Sequence, residues 1–554
     1  MGKKTIAVDE VYKALMEENG EVIYDLRDKT ITGKLDLKHH SIKKAVYIQD
    51  CVFIDEIDLS YCEFKQPVYL SGTHFAEALT SEGTVFEGNL ECKNAVFKGG
   101  VNFQDVKCTG NGLFKDTQFA NEKRTVDFLN ATFGGNLECD RAVFKGGVRF
   151  QGINCTGHGL FRDTQFENEE KLVDFLNAAF GGDLTCDRAV FKGGVLFEGV
   201  KCNGHGFFQD AKFENEKKLV NFLDATFGEN LECDKAIFRC GVRFQGIKCT
   251  GSGLFRDTKF KNKEQLVDFL NATFSGNLEC DKAVFKGGVR FQGINCTGHG
   301  LFRDTKFENE KKTVDFSFAS FNANLEFKNN IFQQNLDLNG TSIKRLSLKS
   351  ISFYQNGEDS KKKVDLRGCV IENFIGTRED NLKFLDAQRP KHFSREPYIQ
   401  LEKYYLKIGD ETEAKRIFLK GRDAVRRNAV IKGTSIHWSW TKIVGDWFLN
   451  LSVRYGTQTW RLLIPIFILL AVGFYIHWAD DTLTIKDDLA ITAQTFGQKL
   501  IYLIDLLIPI NLHIAEKWQL NSLSGEVYAI FLTIFGWLLV PLLVASLGGI
   551  LRRQ

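Results

Sequence analysis

The sequence predicts a mainly β chain, a long solenoid of short strands followed by a helical hairpin and a two-span α-helical membrane region. Three observations carry this. A stretch of 47 residues, Phe86 to Thr132, recurs in register, with an equivalent phenylalanine at Phe133, Phe180, Phe227, Phe274 and Phe321, and a fixed period of this length signals stacked repeats. Inside each repeat, apolar residues fall at alternating gaps of six and five with one longer gap, as in Phe133, Cys139, Phe144, Phe150, Cys155, Phe161, Phe166, Phe175 and Phe180. All seven tryptophans lie between Trp438 and Trp537, in a C-terminal region that contains two long uncharged runs.

The alternation fits neither the 3.6-residue period of a helix nor the period of 2 of a long strand. Short straight runs joined by corners, each pointing one apolar side chain inward, would produce it, with eight inward positions per repeat. Val173-Asp174-Phe175-Leu176-Asn177 and Ala178-Ala179-Phe180-Gly181-Gly182, with their equivalents around Phe128, Phe222 and Phe269, resemble the pentapeptide-repeat family. The resemblance implies a right-handed, four-sided β-helix with Phe or Leu at the centre of each five-residue side, so that one repeat makes two coils. Alternate sides gain one residue, and one place gains three more: Asn121 to Arg124, Asn168 to Lys171, Asn215 to Lys218, Asn262 to Gln265 and Asn309 to Lys312. A charged bulge is therefore expected on one side of the tower.

Residues 1–22 are expected to cap the open end, with a helix over about 5–20 that places Val8, Val11, Tyr12 and Leu15 on one face; a bare end strand invites aggregation. The solenoid is assigned to residues 23–376. Its rhythm starts irregularly at Leu26, Ile31, Leu37, Ile42, Ile48, Phe53, Leu59, Phe64, Leu70 and Phe75, and decays after Ile343, with a loop expected at Gln355 to Lys363. Four inward positions per coil give about fifteen coils, or a rod on the order of 70 Å.

Composition narrows the function. The net charge of +2 argues against the DNA-mimic role that the family resemblance would otherwise suggest. Ten of the 14 cysteines form two series at the repeat spacing, Cys92, Cys139, Cys186, Cys233, Cys280 and Cys108, Cys155, Cys202, Cys249, Cys296. Members of a series sit two coils, roughly 9–10 Å, apart, too far for a disulfide. They read as small buried fillers in a reducing compartment, and no close CxxC pair suggests a metal. Met1 to Gly20 is charged and amphipathic rather than signal-like.

Residues 377–433 are assigned to a helical linker hairpin, because Tyr398, Leu401, Tyr405, Ile408 and Ala414, Ile417, Phe418 recur at three and four around a break at Gly409-Asp410. Its second arm carries Lys415, Arg416, Lys420, Arg422, Arg426 and Arg427, which suits an anionic membrane surface or a solvated helix face.

In the membrane region, 434–554, Trp438, Trp440, Trp447 and Phe448 mark an interfacial helix, and spans are expected at 462–478 and 527–550. Seven basic residues from Arg422 through Arg461, with Arg552 and Arg553, face three lysines between the spans. The positive-inside rule then places both termini in the cytoplasm and the protein in the cell inner membrane.

Between the spans, 500–514 is apolar but too short to cross, as expected of a re-entrant or interfacial segment. Span, half-buried loop, span resembles two-transmembrane ion channels in layout, without the potassium-filter sequence TVGYG. In an oligomer, Asp505 would form a carboxylate ring, with Asn511 and Pro509 beside it in the pore lining; alternatively the segment is an amphipathic helix on the outer surface. Gly536, Pro541, Ser546, Gly548 and Gly549 permit close helix contact or bending in the last span.

Elsewhere, Lys98, Lys145, Lys192, Arg239 and Lys286 form a column, joined by Arg149, Arg243 and Arg290, which would hold an oligonucleotide or other polyanionic or protein ligand. Acidic columns, Glu138, Glu232, Glu279 and Asp140, Asp187, Asp234, Asp281, would neutralise it. His158, His205 and His299 share a repeat position with Asn111 and Ser252, which argues against a repeated metal or acid–base site. No catalytic residue, metal site or cofactor is expected. The sequence thus points to an oligomeric membrane channel or pore-forming effector, most simply a tetramer, with a sensing or docking tower and a possible place in bacterial defence or stress signalling. The alternative is a membrane-tethered scaffold that conducts nothing.

Overall fold

The computed structural model describes residues 3–17, 22–309, 312–353, 363–429, 440–479, 483–485, 488–492, 495–510 and 512–548. The chain divides into two compact units, residues 1–404 and 405–554.

The first unit is a parallel β-solenoid. Through the regular coils each two-residue strand pairs with the strand four places on, which gives four strands per turn, and the longest column is sixteen strands. The expected fifteen coils are therefore about one short, because residues Lys4–Ala7 form an extra strand that pairs in parallel with Lys29–Thr32. The N-terminal helix is correspondingly shorter than expected: α1 covers only Val8–Met16, and its Val11 and Leu15 close the end of the interior. On the first side, Phe97, Phe119, Phe144 and Phe166 pair in register at separations of 22, 25 and 22 residues. One 47-residue repeat is thus a short coil plus a long one.

Two side chains per side point inward, where the spacing predicts one. On the four sides of one coil Ala142 and Phe144, Val148 and Phe150, Ile153 and Cys155, and Gly159 and Phe161 all face the interior, each at most 1% exposed where a side chain is present. The second set was hidden because its members are small or variable. From Phe97 to Phe302 each coil contributes three phenylalanines and one cysteine at the central positions, for example Phe144, Phe150, Cys155, Phe161 and then Phe166, Phe175, Phe180, Cys186. The cysteine alternates between the third and fourth sides. Inward volume per coil is thereby held constant, as a close-packed interior requires.

Two sides carry uninterrupted phenylalanine stacks. On the first, Phe144, Phe166 and Phe191 follow at centroid distances of 5.1 and 4.7 Å with planes 9° and 8° apart. On the second, Phe150, Phe175 and Phe197 follow at 4.7 and 5.0 Å. Phe161 and Phe175 meet edge to face at 5.2 Å, the other favoured aromatic geometry. At the position before the first-side strand, Thr117, Thr164, Thr258 and Thr305 are buried and donate to a carbonyl of the coil below, as Thr164 Oγ1 does to the Cys139 carbonyl at 2.8 Å.

The bulges are built by asparagine. Asn168 Oδ1 accepts from the Glu170 and Lys171 amides, while its Nδ2 donates to the Lys145 carbonyl at 3.1 Å and the Glu122 carbonyl at 3.3 Å. They form a hydrogen-bonded stack rather than loose charged loops; Glu310 and Lys311 lie outside the described residues. The FKGG corner follows from this, since a Cβ on Gly193 would come within 2.4 Å of the Lys171 carbonyl oxygen. Of the expected loop at Gln355 to Lys363, only Lys363 lies within the described residues.

Beyond the last coil, α2 (Arg378–Asp386), which the periodicity did not reveal, is capped by Thr377. The two helical runs expected around Gly409-Asp410 appear as α3 (Glu396–Lys407) and α4 (Glu411–Ala429). The second unit then holds α5 (Trp440–Ser452), α6 (Leu463–Ala479), α7 (Phe496–Leu507) and α8 (Leu523–Leu547). Trp438 lies outside the described residues. Pro465 falls in the first turn of α6, where its missing N–H is tolerated. A three-stranded antiparallel sheet of Leu483–Ile485, Asp488–Thr492 and Trp518–Leu520, unforeseen in the sequence, lies in the segments between the long apolar helices.

Candidate functional site

Two helical stretches, Thr459–His477 and Leu523–Leu547, are long and apolar enough to cross a membrane, with 11% and 22% of their most apolar windows buried. Outward residues such as Phe467 and Tyr475 on α6 and Ile530, Ile534 and Trp537 on α8 are each at least 63% exposed. On α5, Val444, Trp447, Phe448 and Leu451 fall at helical spacing on one exposed face.

Between the two in sequence lies α7, which carries two buried charged residues, Lys499 and Asp505. A Thr495/Gln498 capping box starts α7, which is twelve residues long and so spans about 18 Å. Its inner face, Tyr502, Leu503 and Leu507, packs with Tyr528 and Leu532 of α8 and with Leu470 and Phe474 of α6. Gly536 is where α8 meets the end of α7: a Cβ there would stand 2.1 Å from the Leu507 carbonyl oxygen. Gly473 plays the same part on α6, where a Cβ would come within 2.6 Å of the Tyr528 ring. Tyr528 in turn donates its hydroxyl proton to the Leu469 carbonyl.

Asp505 is 8% exposed. Its carboxylate accepts from the backbone N–H of Leu512 at 3.1 Å and of Ala515 at 2.7 Å, so it fixes the loop that follows α7. Pro509 lies in that loop; Asn511 lies outside the described residues, as does Gly549. Lys499, 4% exposed, donates from Nζ to the His477 carbonyl in the last turn of α6 at 2.9 Å, a position that suits a cation at a helix C-terminus. Pro541 lies inside α8, and Gly548 forms its C-cap. Lys499 and Gly473 were missed, the first because it counted only as one of three lysines between the spans, a topology signal, the second because glycine is common in membrane helices.

The basic cluster on α4 is partly spent within its own unit. Arg422 lies over the Phe418 and Tyr455 rings at 5.6 and 5.4 Å, and Arg426 over Trp447 at 5.0 Å, cation–π geometry.

In the solenoid, Lys98, Lys145, Lys192, Arg239 and Lys286 do share a column. The rungs between them carry Ala120, Glu167, Glu214, Lys261 and Glu308. On the next side Arg149 pairs with Asp127 at 3.0 Å, Arg290 pairs with Asp268, and Arg243 lies in register with Asp268. The acidic columns are matched in the same way, Asp234 by Arg256 and Asp281 by Arg303 at 2.9 Å. Acidic rungs interrupt both sides, so the basic residues form no stripe along the whole tower, although Arg239, Lys261 and Lys286 stand on three successive rungs.

The shared histidine position is a corner ladder. Asn136 Oδ1 accepts from the His158 amide at 2.9 Å, His158 Nδ1 from the Asp183 amide at 2.9 Å, and Asp183 Oδ1 from the His205 amide at 2.8 Å. Ser252 and Asn277 continue it upward. Each of these residue types is present as a hydrogen-bond acceptor, which is why Asn, Asp, His and Ser interchange there.

All 14 cysteines are buried free thiols. Burial pushes the Cys155 and Cys369 thiols up to about 12, so they are poor nucleophiles and ligands. Among the described residues no group of three or more His, Cys, Asp or Glu is placed to hold a metal ion.

These features define a class: a parallel β-solenoid of about sixteen turns followed by helices, two of them able to span a membrane. No family model, no curated protein and no solved structure matches the chain.

Proposed function

We propose that the chain is an integral membrane protein of the inner membrane, crossing at α6 and α8, that assembles as a homo-oligomer around a pore. In this reading α7 enters the bilayer between the spans and the loop 508–514 lines the conduction path. The observation that carries it is a capped helix too short to cross the roughly 30 Å hydrocarbon core, packed between two span-length helices and ending in a loop held by a buried carboxylate. Non-helical backbone at membrane depth is tolerated where it is buried in protein or lines a water-filled path.

Asp505 then positions the loop instead of forming a carboxylate ring, and Pro509 sits nearest the path. Two spans per chain cannot enclose a pore alone; a symmetric tetramer is the simplest closed arrangement. The four-strand turns and central phenylalanines support placing the solenoid with pentapeptide-repeat proteins. Its role is that of a non-catalytic cytoplasmic tower that docks or senses a partner, in a setting such as bacterial defence or stress signalling.

Membrane-impermeant thiol labelling tests the topology, since the native thiols are buried. Gln519→Cys should label from outside intact cells and Gln165→Cys only after permeabilisation. Equal labelling of both sites in intact cells would contradict it.

A further inference from the structure

The first coils of the solenoid are filled differently from the rest. Where later coils bring three phenylalanines to the interior, the second brings Phe53 and Phe64 with Leu59 and Leu70, and the third Phe75 and Phe86 with Ser81 and Cys92. In the column that Phe103 and Phe128 fill higher up, Leu37, Leu59 and Ser81 stand instead. Ser81 Oγ is buried with no hydrogen-bond partner among the described residues. The deficit shows as space. Beneath α1, Leu15, Leu37, Phe53, Ile57, Leu59 and Leu70 line a wholly apolar cavity that gives the centre of a water-sized sphere about 30 Å³. That is two to three times what a single water needs, about 10–15 Å³ by the same measure. Leu59 and Leu70 are 7% and 8% exposed although both point inward, whereas Phe128 and Phe150 of the filled coils are at 0%.

We infer that this cavity is a binding site for a small, uncharged, apolar guest, of the size of xenon, dioxygen or a two-carbon hydrocarbon. Its walls offer no hydrogen-bond partner, so water gains little by entering, and dry apolar cavities of this kind take up apolar guests. The helix α1 closes the site with Val11 and Leu15, and it is the element whose opening admits the guest. The inference is independent of the pore reading, because it concerns the solenoid alone.

Xenon is the probe. Methyl-labelled full-length protein in detergent is titrated with xenon and the Leu, Ile and Val methyl shifts are followed. Saturable shifts confined to Leu37, Ile57, Leu59, Leu70 and their neighbours are expected. Leu59→Phe, which installs the side chain of the later coils, should weaken binding at least tenfold, and Leu59→Ala, which enlarges the space, should retain the shifts. Absence of localised shifts in the wild-type protein would overturn the inference, as would unchanged xenon binding in a folded Leu59→Phe variant.

Discussion

Each cysteine of the regular coils sits between phenylalanine side chains of the coils below and above, as Cys155 does between Phe133 and Phe180. Replacing it by phenylalanine puts a fourth ring into a filled coil. Cys155→Phe should therefore destabilise the solenoid by about 1–3 kcal/mol, and Phe150→Ala, which leaves a cavity, by about 3–5 kcal/mol, both read by chemical denaturation. The thiols make a separate prediction. With Cys155 pushed up to about 12 and all 14 thiols buried, a thiol reagent at pH 8 should find essentially none in the folded solenoid and all of them after unfolding. At the far end of the tower, the Asp365 side chain is fully buried, with Arg367 at 2.8 Å, Arg389 at 3.4 Å and His392 in contact. Burial raises its carboxyl, but the hydrogen bonds from Arg367 and His392 outweigh this and hold it below the ordinary carboxylate range. A lowered folded-state value stabilises the fold above the unfolded carboxyl value of about 3.9 and loses that contribution as pH falls further. Asp365→Asn should flatten the acid limb of the stability profile.

Among the elements, α7 depends on two close approaches and one carboxylate. A Cβ at Gly536 meets backbone, which cannot rotate away, so Gly536→Ala should push α7 from α8 and lower the unfolding midpoint in detergent. Asp505→Ala leaves the Leu512 and Ala515 amides without their acceptor. Hydrogen exchange at those two amides should speed up while α6 and α8 stay protected. These elements were unequally legible in the sequence. The spans stood out because uncharged runs of 17 and 24 residues announce themselves. Asp505 was noticed for its charge, yet its role depends on amides seven and ten residues on, a relation that no periodicity encodes. The short sheet between the spans escaped because its strands are only three to five residues long and two of them pair across the whole of α7.

For the whole solenoid, the 47-residue period is a two-coil unit that alternates in three ways at once. Phenylalanine alternates with cysteine inside, acid with base on several outer columns, and a bulged corner with a Gly-Gly corner. Each alternation needs the other coil of the pair. Deleting Phe133 to Ala179, one full repeat, should leave a folded and shorter tower. Deleting one 22-residue coil should stack bulge on bulge and acid on acid and yield an unstable product, which thermal melts would separate clearly. The period itself was plain in the sequence. The acidic rungs within the lysine column were less so, because Lys145 and Glu167 are 22 residues apart and become neighbours only once the coil length is known. The ladder role of the histidines was not legible, because it required the corner geometry.

Conduction by the C-terminal helices is the property that separates a pore from a tethered scaffold. Full-length protein reconstituted in planar bilayers should give discrete single-channel currents, and Asp505→Ala should destabilise the open level or abolish it without preventing membrane insertion. Protein that inserts with both spans, stays monomeric and passes no current under any ion gradient or voltage would contradict the pore and leave a tethered scaffold in its place.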